Sequence, residues 1–352
     1  MKKELLMATA LVSTLGAASV AQAVTATMSG SLKIGAEFDS PDSGSDTTTV
    51  QDQSNFSVSL SETTDGGTTI SSSFDMLDEG TPEGDDDNAI KLTFTDGSAL
   101  ELLNAGNALG THDVAIPGAA GEQGVAGTSV NNAPTGLDFA APTTAMGVEW
   151  HSASDFVVDG LKVSASYSTG TGAAATAVSR VDSAWGLGAT YVTSAGDTAL
   201  TIGAGISGSE VINTGSQAAN NDNGFTVGVS AVTGDLTIAV GFADGDTSVP
   251  SAATGQTTNT DVDGSVVKAG ISYVTGDLTL AVGAVSGEAK DGAFGTAGTT
   301  DDSHDEVNAS VTYAVASGVS AILGYTSVDQ NDEGASDTSG GSAWYVGATM
   351  SF

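Results

Sequence analysis

Apolar and polar residues alternate along most of the chain after residue 24, in short stretches separated by glycine-rich connections. In the stretch 55–61, Phe56, Val58 and Leu60 would share one face, and the serines between them would share the other. A period of two residues is typical of a β-strand with one apolar face. The pattern therefore predicts an all-β protein.

Sixteen such segments can be counted, and many are joined by short turns. The stretches 225–232 and 236–244, for example, flank Thr233-Gly234-Asp235, which is a hairpin signal. The predicted strands are residues 25–38, 55–62, 68–77, 89–95, 98–104, 147–157, 160–168, 185–193, 198–207, 225–232, 236–244, 265–274, 278–287, 306–315, 319–328 and 343–352.

The connections alternate in length along the chain. Long connections such as 39–54, 78–88 and 105–146 follow odd strands, whereas short ones such as 194–197 follow even strands. A soluble sandwich gives no reason for this sorting, but an outer-membrane barrel has short periplasmic turns and long external loops. Most segments also approach the roughly 9–11 residues that a tilted strand needs to cross a membrane. We therefore predict a sixteen-stranded antiparallel transmembrane β-barrel over residues 24–352.

The N-terminus has the features of a secretory signal. Lys2 and Lys3 precede a largely apolar stretch, and Ala21-Gln22-Ala23 supplies the small residues of a cleavage site. A membrane anchor is the alternative, but polar residues interrupt the stretch and Ala-x-Ala closes it. We predict that residues 1–23 are removed and that the chain passes through the periplasm to the outer membrane.

The composition argues against several classes of function. The chain has 43 acidic and 8 basic residues, which gives a formal charge of −35, and it has no cysteine. A nucleic-acid partner would require clustered basic residues, and a thiol nucleophile or disulfide framework would require cysteine. His112, His151 and His304 are scattered without an i, i+4 pair, so no zinc site is predicted. No nucleophile and base stand at a recognisable spacing, so we predict no enzymatic activity.

An acidic run lies in the predicted second external loop. Dense carboxylates attract Ca²⁺ or Mg²⁺, but the run has no ligand loop of defined spacing. A solvated acidic loop and loose divalent binding both stay open, and no other cofactor is predicted. The residues are Asp78, Glu79, Glu83, Asp85, Asp86 and Asp87.

Four lysines lie within predicted strands, and each alternates with apolar neighbours. On the lipid face of a barrel, a lysine would cost about 2–4 kcal/mol at the membrane midplane. Facing a wet lumen, the same lysine would stay solvated. The lysines Lys33, Lys91, Lys162 and Lys268 are therefore expected to point inward.

The last predicted strand carries a terminal signature. Trp344, Val346, Ala348 and Met350 alternate outward, and the chain ends on Phe352. This resembles the C-terminal membrane-insertion signature of Gram-negative outer-membrane barrels. With sixteen strands and the longest loop after the fifth, the chain resembles the general porins, particularly those of the alphaproteobacterial type.

The resemblance implies a water-filled channel for passive diffusion of small hydrophilic solutes and ions, set among outer-membrane lipid and lipopolysaccharide. In that family the third external loop, here 105–146, folds into the lumen as a constriction. By position, the resemblance assigns Lys33 and Lys91 to the wall and Asp113, Glu122 and Asp138 to the loop. The acidic balance predicts a preference for cations.

The resemblance also implies a homotrimer, and the phenylalanines suggest where its contact lies. Phe38, Phe56, Phe74 and Phe94 are predicted to point outward on the first four strands, while later strands present mainly aliphatic residues. Aromatic residues are enriched at protein interfaces. We therefore expect the N-terminal strands to form the contact between subunits.

One departure from the family pattern concerns arginine. These porins usually place several arginines on the wall opposite the third loop, but Arg180 is the single arginine here and belongs to another loop. A strong transverse field is therefore not expected. The alternative class of function is a secreted acidic β-rich protein, such as a surface-layer or adhesive solenoid. The absence of a fixed repeat and the terminal Phe352 argue against it.

Overall fold

A computed structural model gives the structure of the chain for residues 24–42, 44–77, 89–102, 107–118, 146–169, 179–213, 220–249, 260–289, 302–331 and 340–352. Across these residues, each strand pairs antiparallel with its neighbours in sequence, and the first pairs with the last to close a barrel. The described part of the chain contains no helix that is long and apolar enough to cross a membrane.

The barrel has sixteen strands, and within the described ranges one short helix, α1 (Ala108–Thr111), follows the fifth. The strands are β1 (Thr25–Pro41), β2 (Thr47–Thr63), β3 (Thr69–Leu77), β4 (Ile90–Thr93), β5 (Ala99–Leu102), β6 (Met146–His151), β7 (Leu161–Thr169), β8 (Ser179–Ala195), β9 (Thr198–Asn213), β10 (Asn220–Thr233), β11 (Leu236–Val249), β12 (Thr260–Thr275), β13 (Leu278–Ala289), β14 (Asp302–Ala316), β15 (Val319–Asn331) and β16 (Gly341–Ser351).

The predicted fold class is confirmed, since every predicted segment contributes a strand to one closed antiparallel barrel. Closure also excludes the solenoid alternative. Several strands extend beyond their predicted limits at the long-loop rim: β2 begins at Thr47 and β8 at Ser179. The backbone ladder continues there after the apolar alternation has ended, so hydrophobic periodicity could not show it.

One predicted strand end is wrong. The sixth strand was expected to reach residue 157, but β6 ends at His151 and residues 152–160 form the connection to β7. Asp155 and Val157 have φ angles of 64° and 68°, outside the extended region. The connection is held by the Phe156 N–H, which donates to the Leu161 carbonyl oxygen at 2.8 Å. The three consecutive apolar residues 156–158 interrupt the alternation, and this interruption indicates that the strand ends before them.

Two-residue turns close the short rim between several strands. In the turns at 196–197, 234–235 and 276–277, the first residue is a glycine with φ near +60°. That conformation strains residues with a β-carbon, so glycine suits the first central position of such a hairpin. These turns fix the register of the strands that they join.

Side chains alternate between the two faces of the barrel wall. On β7, Leu161, Val163, Ala165 and Tyr167 point outward, and β8 to β16 each present a similar apolar run at the same level. Aromatic residues border this outer belt, as at membrane interfaces. Phe38, Trp344 and Tyr325 lie side by side in register near the long-loop rim.

Candidate functional site

Residues 107–118 lie inside the barrel, against the inner faces of β7 to β14. The Asn107 side chain caps α1 by accepting a hydrogen bond from the Leu109 N–H at 3.2 Å. The Ala108 N–H donates to Ser166 Oγ on β7 at 3.0 Å, and Ser310 Oγ on β14 donates to the Gly118 carbonyl oxygen at 3.4 Å. We call residues 107–118 the inner segment.

The wall beneath the inner segment is lined by inward-facing glycines. A β-carbon on Gly188 would overlap the Ala108 carbonyl oxygen, and one on Gly270 would overlap the Pro117 carbonyl oxygen. The missing side chains let the segment's backbone lie directly on the strands. We call this set the glycine track: Gly186, Gly188, Gly203, Gly205, Gly228, Gly270 and Gly283.

Apolar side chains hold the inner segment on the glycine track. Leu109 is 2% exposed and Val114 is 6% exposed. A β-carbon on Gly205 would lie 2.8 Å from Leu109 Cα, and one on Gly228 would lie 2.7 Å from Val114 Cβ. Complete burial of a leucine or valine side chain contributes about 1.5–3 kcal/mol. Removal of apolar surface from the lumen water therefore stabilises the segment in this position.

Hydrogen bonds attach the end of α1 to the barrel wall. His112 is buried between Thr190 Oγ1, at 2.6 Å from its Nδ1, and Ser164 Oγ, at 2.8 Å from its Nε2. Burial lowers the pKa of His112 below its ordinary value, and the nearby positive charge of Lys162 lowers it further. The imidazole is therefore neutral at pH 7, as a buried hydrogen-bonding group should be.

Charged residues gather on the inner wall beside α1. Lys91, Glu101 and Glu149 occupy one register row across β4, β5 and β6. Lys91 Nζ lies 2.6 Å from Glu101 Oε1, and Thr111 Oγ1 of α1 donates to Glu149 Oε1 at 2.7 Å. His151 Nε2 lies 3.3 Å from Glu101 Oε1. We call Lys91, Glu101, Glu149 and His151 the β4–β6 cluster.

The structure places some of the predicted constriction residues. Lys33 lies on the inner face of β1, and Lys91 is paired with Glu101 of the wall. Asp113 is exposed on the inner segment, where its Oδ1 accepts a hydrogen bond from the Val114 N–H at 3.0 Å. Glu122 and Asp138 lie outside the described residues, as do the acidic run 78–87 and the predicted signal 1–23.

The terminal signature residues lie where the sequence predicted. Met350 points outward and is exposed. Phe352 is 73% exposed, and its backbone exchanges two hydrogen bonds with Gly30 of β1, at 3.1 and 3.2 Å. Phe352 therefore extends the pairing of β16 with β1, which closes the barrel, at the short-turn rim.

Sequence analysis missed the acids of the inner wall. Glu101 and Glu149 stand between apolar neighbours, as the strand lysines do, so the same alternation could have placed them inward. Their proximity to His151 could not be predicted, because the distance between residues 101 and 149 depends on the pairing of β5 with β6.

A family model and several solved structures are similar to this chain over most of its length. A family model described as Gram-negative porin matches residues 8–334. A refined porin structure, at 17% sequence identity, aligns with a TM-score of 0.65 over 93% of this chain and 100% of that chain. No curated protein matches the chain.

Two further structures are similar in fold. The anion-selective porin from Comamonas acidovorans is 12% identical, with a TM-score of 0.65 over 94% of this chain and 100% of that chain. The trimer form of OmpT, an outer membrane protein of Vibrio cholerae, is 15% identical, with a TM-score of 0.62 over 94% of this chain and 100% of that chain. Identities this low show a shared fold alone.

Replacing Gly270 by alanine tests whether the glycine track positions the inner segment. The added β-carbon would overlap the Pro117 carbonyl oxygen and push the segment toward the barrel axis. We expect a lower single-channel conductance and a destabilisation of about 1–3 kcal/mol from overpacking.

Gly241→Ala is the matched control on the neighbouring strand. Its β-carbon would lie 3.5 Å from Ile116 Cδ1, an ordinary contact, so conductance should stay at the wild-type value. Equal conductance in both variants would show that the segment does not rest on the track.

Proposed function

This chain belongs to the Gram-negative porin family, and from that premise we propose that it forms a water-filled, cation-preferring channel for passive diffusion of small hydrophilic solutes and ions. It is a β-barrel protein of the outer membrane. Members of the family are channel proteins rather than enzymes, and we propose that this chain has no catalytic activity.

The observation that carries the proposal is the inner segment inside a polar-lined barrel. Inward positions on the strands are occupied by serine, threonine, glycine and charged residues, which keep a lumen wet. The inner segment occupies part of that lumen without leaving the wall. We propose that residues 105–146 as a whole narrow the pore, with Asp113, Glu122 and Asp138 on the loop and Lys33 and Lys91 on the wall.

The preference for cations is supported by the charges of the inner wall. On the described strands, acids that face inward outnumber inward lysines, and Asp113 of the inner segment adds a further acid. A low-dielectric channel lined by one sign of charge raises the local concentration of the opposite ion. The inward acids are Glu37, Asp39, Asp75, Glu101, Glu149 and Glu306, and the inward lysines are Lys33, Lys91, Lys162 and Lys268.

We propose a homotrimer, with contact through the first strands, because the outer belt is interrupted there. Asp52 of β2 points outward opposite Ile34 of β1. Along β2, Asp52 lies midway between Thr48 and Phe56. Thr48 pairs with Phe38 near the long-loop rim, and Phe56 pairs with Gly30, which contacts Phe352 at the short-turn rim. An acidic side chain near the middle of a lipid-facing belt is unfavourable.

A second copy of the chain would cover this interruption. Ser54 also points outward on β2, whereas the corresponding positions on β7 to β16 are apolar. Phe38 and Phe94 are exposed on the same side of the barrel, as expected for an interface. The structure of OmpT is of a trimer form, which agrees with this assembly.

The remaining outer surface meets other partners in this proposal. The apolar belt of β7 to β16 would contact outer-membrane lipid, and lipopolysaccharide would cover it on the external side. Loose binding of Ca²⁺ or Mg²⁺ by the acidic run 78–87 stays a prediction, as does removal of residues 1–23.

Reversal potentials in a KCl gradient test the cation preference. We expect potassium to be preferred over chloride at low salt, with the preference falling as salt rises, because exposed charges are screened beyond roughly 8–10 Å near physiological ionic strength. Asp113→Asn should weaken the preference, whereas Asp159→Asn, in the β6–β7 connection, should not. Anion preference at low salt would contradict the proposal.

Cysteine cross-linking tests the trimer contact, because the chain has no cysteine of its own. A short cross-linker that carries three thiol-specific groups should join Ser54→Cys chains into species of two and three chains in native membranes. Val240→Cys, on the outer face of β11, is the matched control and should stay monomeric on a denaturing gel. Equal cross-linking of both variants would argue against an interface at β2.

A further inference from the structure

We propose that Glu101, Glu149 and His151 form a binding site for a divalent transition-metal ion of the Zn²⁺ class on the inner wall. One carboxylate oxygen from each glutamate and one imidazole nitrogen lie within 4.8 Å of one another. Histidine nitrogen and carboxylate oxygen are both zinc ligands, and catalytic zinc sites use three side chains and leave a fourth position open. This site goes beyond the proposed diffusion function and does not depend on it.

The barrel register creates the ligand set. Glu101 of β5 and Glu149 of β6 are direct cross-strand partners, and His151 follows two residues after Glu149 on the same face. All three side chains therefore project into the lumen from two neighbouring strands. The sequence predicted no zinc site because its histidines form no i, i+4 pair, whereas in the structure the pairing of β5 with β6 brings the three ligands together.

The spacing of His151 and Glu101 fits a metal ion. His151 Nε2 is buried without a hydrogen-bond partner and lies 3.3 Å from Glu101 Oε1. When Nε2 carries a proton, the imidazole pairs with Glu101 at this distance; when Nε2 is deprotonated, a metal ion between the two atoms takes the place of that proton. Bonds of about 2.0–2.1 Å to a tetrahedral zinc place neighbouring ligand atoms about 3.3–3.4 Å apart, which matches this distance.

Neighbouring hydroxyl groups orient the ligands. Ser164 Oγ lies 2.9 Å from His151 Nδ1, so the imidazole can donate its Nδ1 proton to Ser164 and keep the Nε2 lone pair for a metal. Thr111 Oγ1 donates to Glu149 Oε1 and so fixes the orientation of this carboxylate. Such partners are typical of metal-ligating histidines and carboxylates.

Charge also favours a cation at this site. Glu149 is only 1% exposed, and an ionised carboxylate buried to that extent needs a compensating charge. Lys91 is the cation beside the two glutamates, and its Nζ lies 2.6 Å from Glu101 Oε1. When both glutamates are ionised, one lysine leaves an excess negative charge that a divalent ion would offset.

Lys91 acts as a competitor for the metal in this arrangement. Its side chain is 46% exposed, so the flexible stem can move into the lumen when a metal ion replaces the ammonium at Glu101. Removing the ammonium should therefore tighten metal binding. If Lys91 and the glutamates formed only a structural ion pair, removing the ammonium would not tighten metal binding. Substitution of Lys91 therefore distinguishes a metal site from a structural ion pair.

The ligand types indicate which ions would bind. Imidazole nitrogen combined with carboxylate oxygen suits Zn²⁺ or Co²⁺, whereas Ca²⁺ and Mg²⁺ prefer sets made of oxygen alone. The acidic run 78–87 contains only oxygen ligands. Selectivity for zinc over magnesium therefore distinguishes the wall site from binding by acidic loops.

The test is titration of the full-length folded barrel in detergent with ZnCl₂, followed by calorimetry. We expect one saturable site per chain, a loss of affinity of at least tenfold in His151→Ala and Glu149→Gln, and no competition by equimolar Mg²⁺. Co²⁺ bound at the same site should give visible absorption bands of low coordination number, and these should vanish in His151→Ala.

Lys91→Met and His304→Ala complete the design. The first should bind Zn²⁺ more tightly than wild type, and because its side chain is exposed, its folding is little at risk. The second removes a histidine from β14 and should leave affinity unchanged. Wild-type affinity in His151→Ala, or no gain in Lys91→Met, would overturn the proposal, whether or not the channel conducts.

Discussion

Backbone hydrogen bonding is the constraint on which this structure depends. A strand that crosses hydrocarbon has no water to satisfy its N–H and C=O groups, so each strand must pair on both edges. In this chain that requirement is met by the pairing of β1 with β16, which brings the terminal Phe352 onto Gly30. Once the sheet is closed, the two-residue period assigns every side chain to lipid or to lumen. The apolar outer belt and the polar inner wall follow from that division.

The lumen then sets its own constraints on the segment that follows β5. A peptide placed against a wall of ordinary side chains would stand well clear of the strand backbone and fill more of the pore. The glycine track removes those side chains along the path from β8 to β13, so the inner segment lies close to the wall and buries Leu109 and Val114 against it. Contacts from Thr111 and His112 to the wall fix the end of α1 beside the β4–β6 cluster. The segment's position and the wall's charges are therefore linked.

The sequence predicted what depends on local alternation and missed what depends on pairing. All sixteen strands and the inward direction of Lys33, Lys91, Lys162 and Lys268 follow from a period of two, which is readable in one strand at a time. The end of β6 was misplaced because Phe156, Val157 and Val158 supply hydrophobicity without alternation. The cluster of Glu101, Glu149 and His151 was missed because its members meet only through the register of β5 with β6. The outward position of Asp52 was missed for the same reason, because residue 52 lay in the predicted connection 39–54 and its direction follows from the pairing of β2 with β1.

We propose that the inner segment narrows the barrel lumen by lying on the inner wall. Excision of residues 108–117 removes α1 and the contacts with the glycine track while leaving all sixteen strands. Liposome swelling with sugars of increasing size measures the effective opening directly. We expect the shortened protein to admit larger sugars, and to admit small ones faster, than the full-length barrel inserted at the same density. Identical swelling rates for all sugars would contradict it, because the segment would then lie outside the path of the solutes.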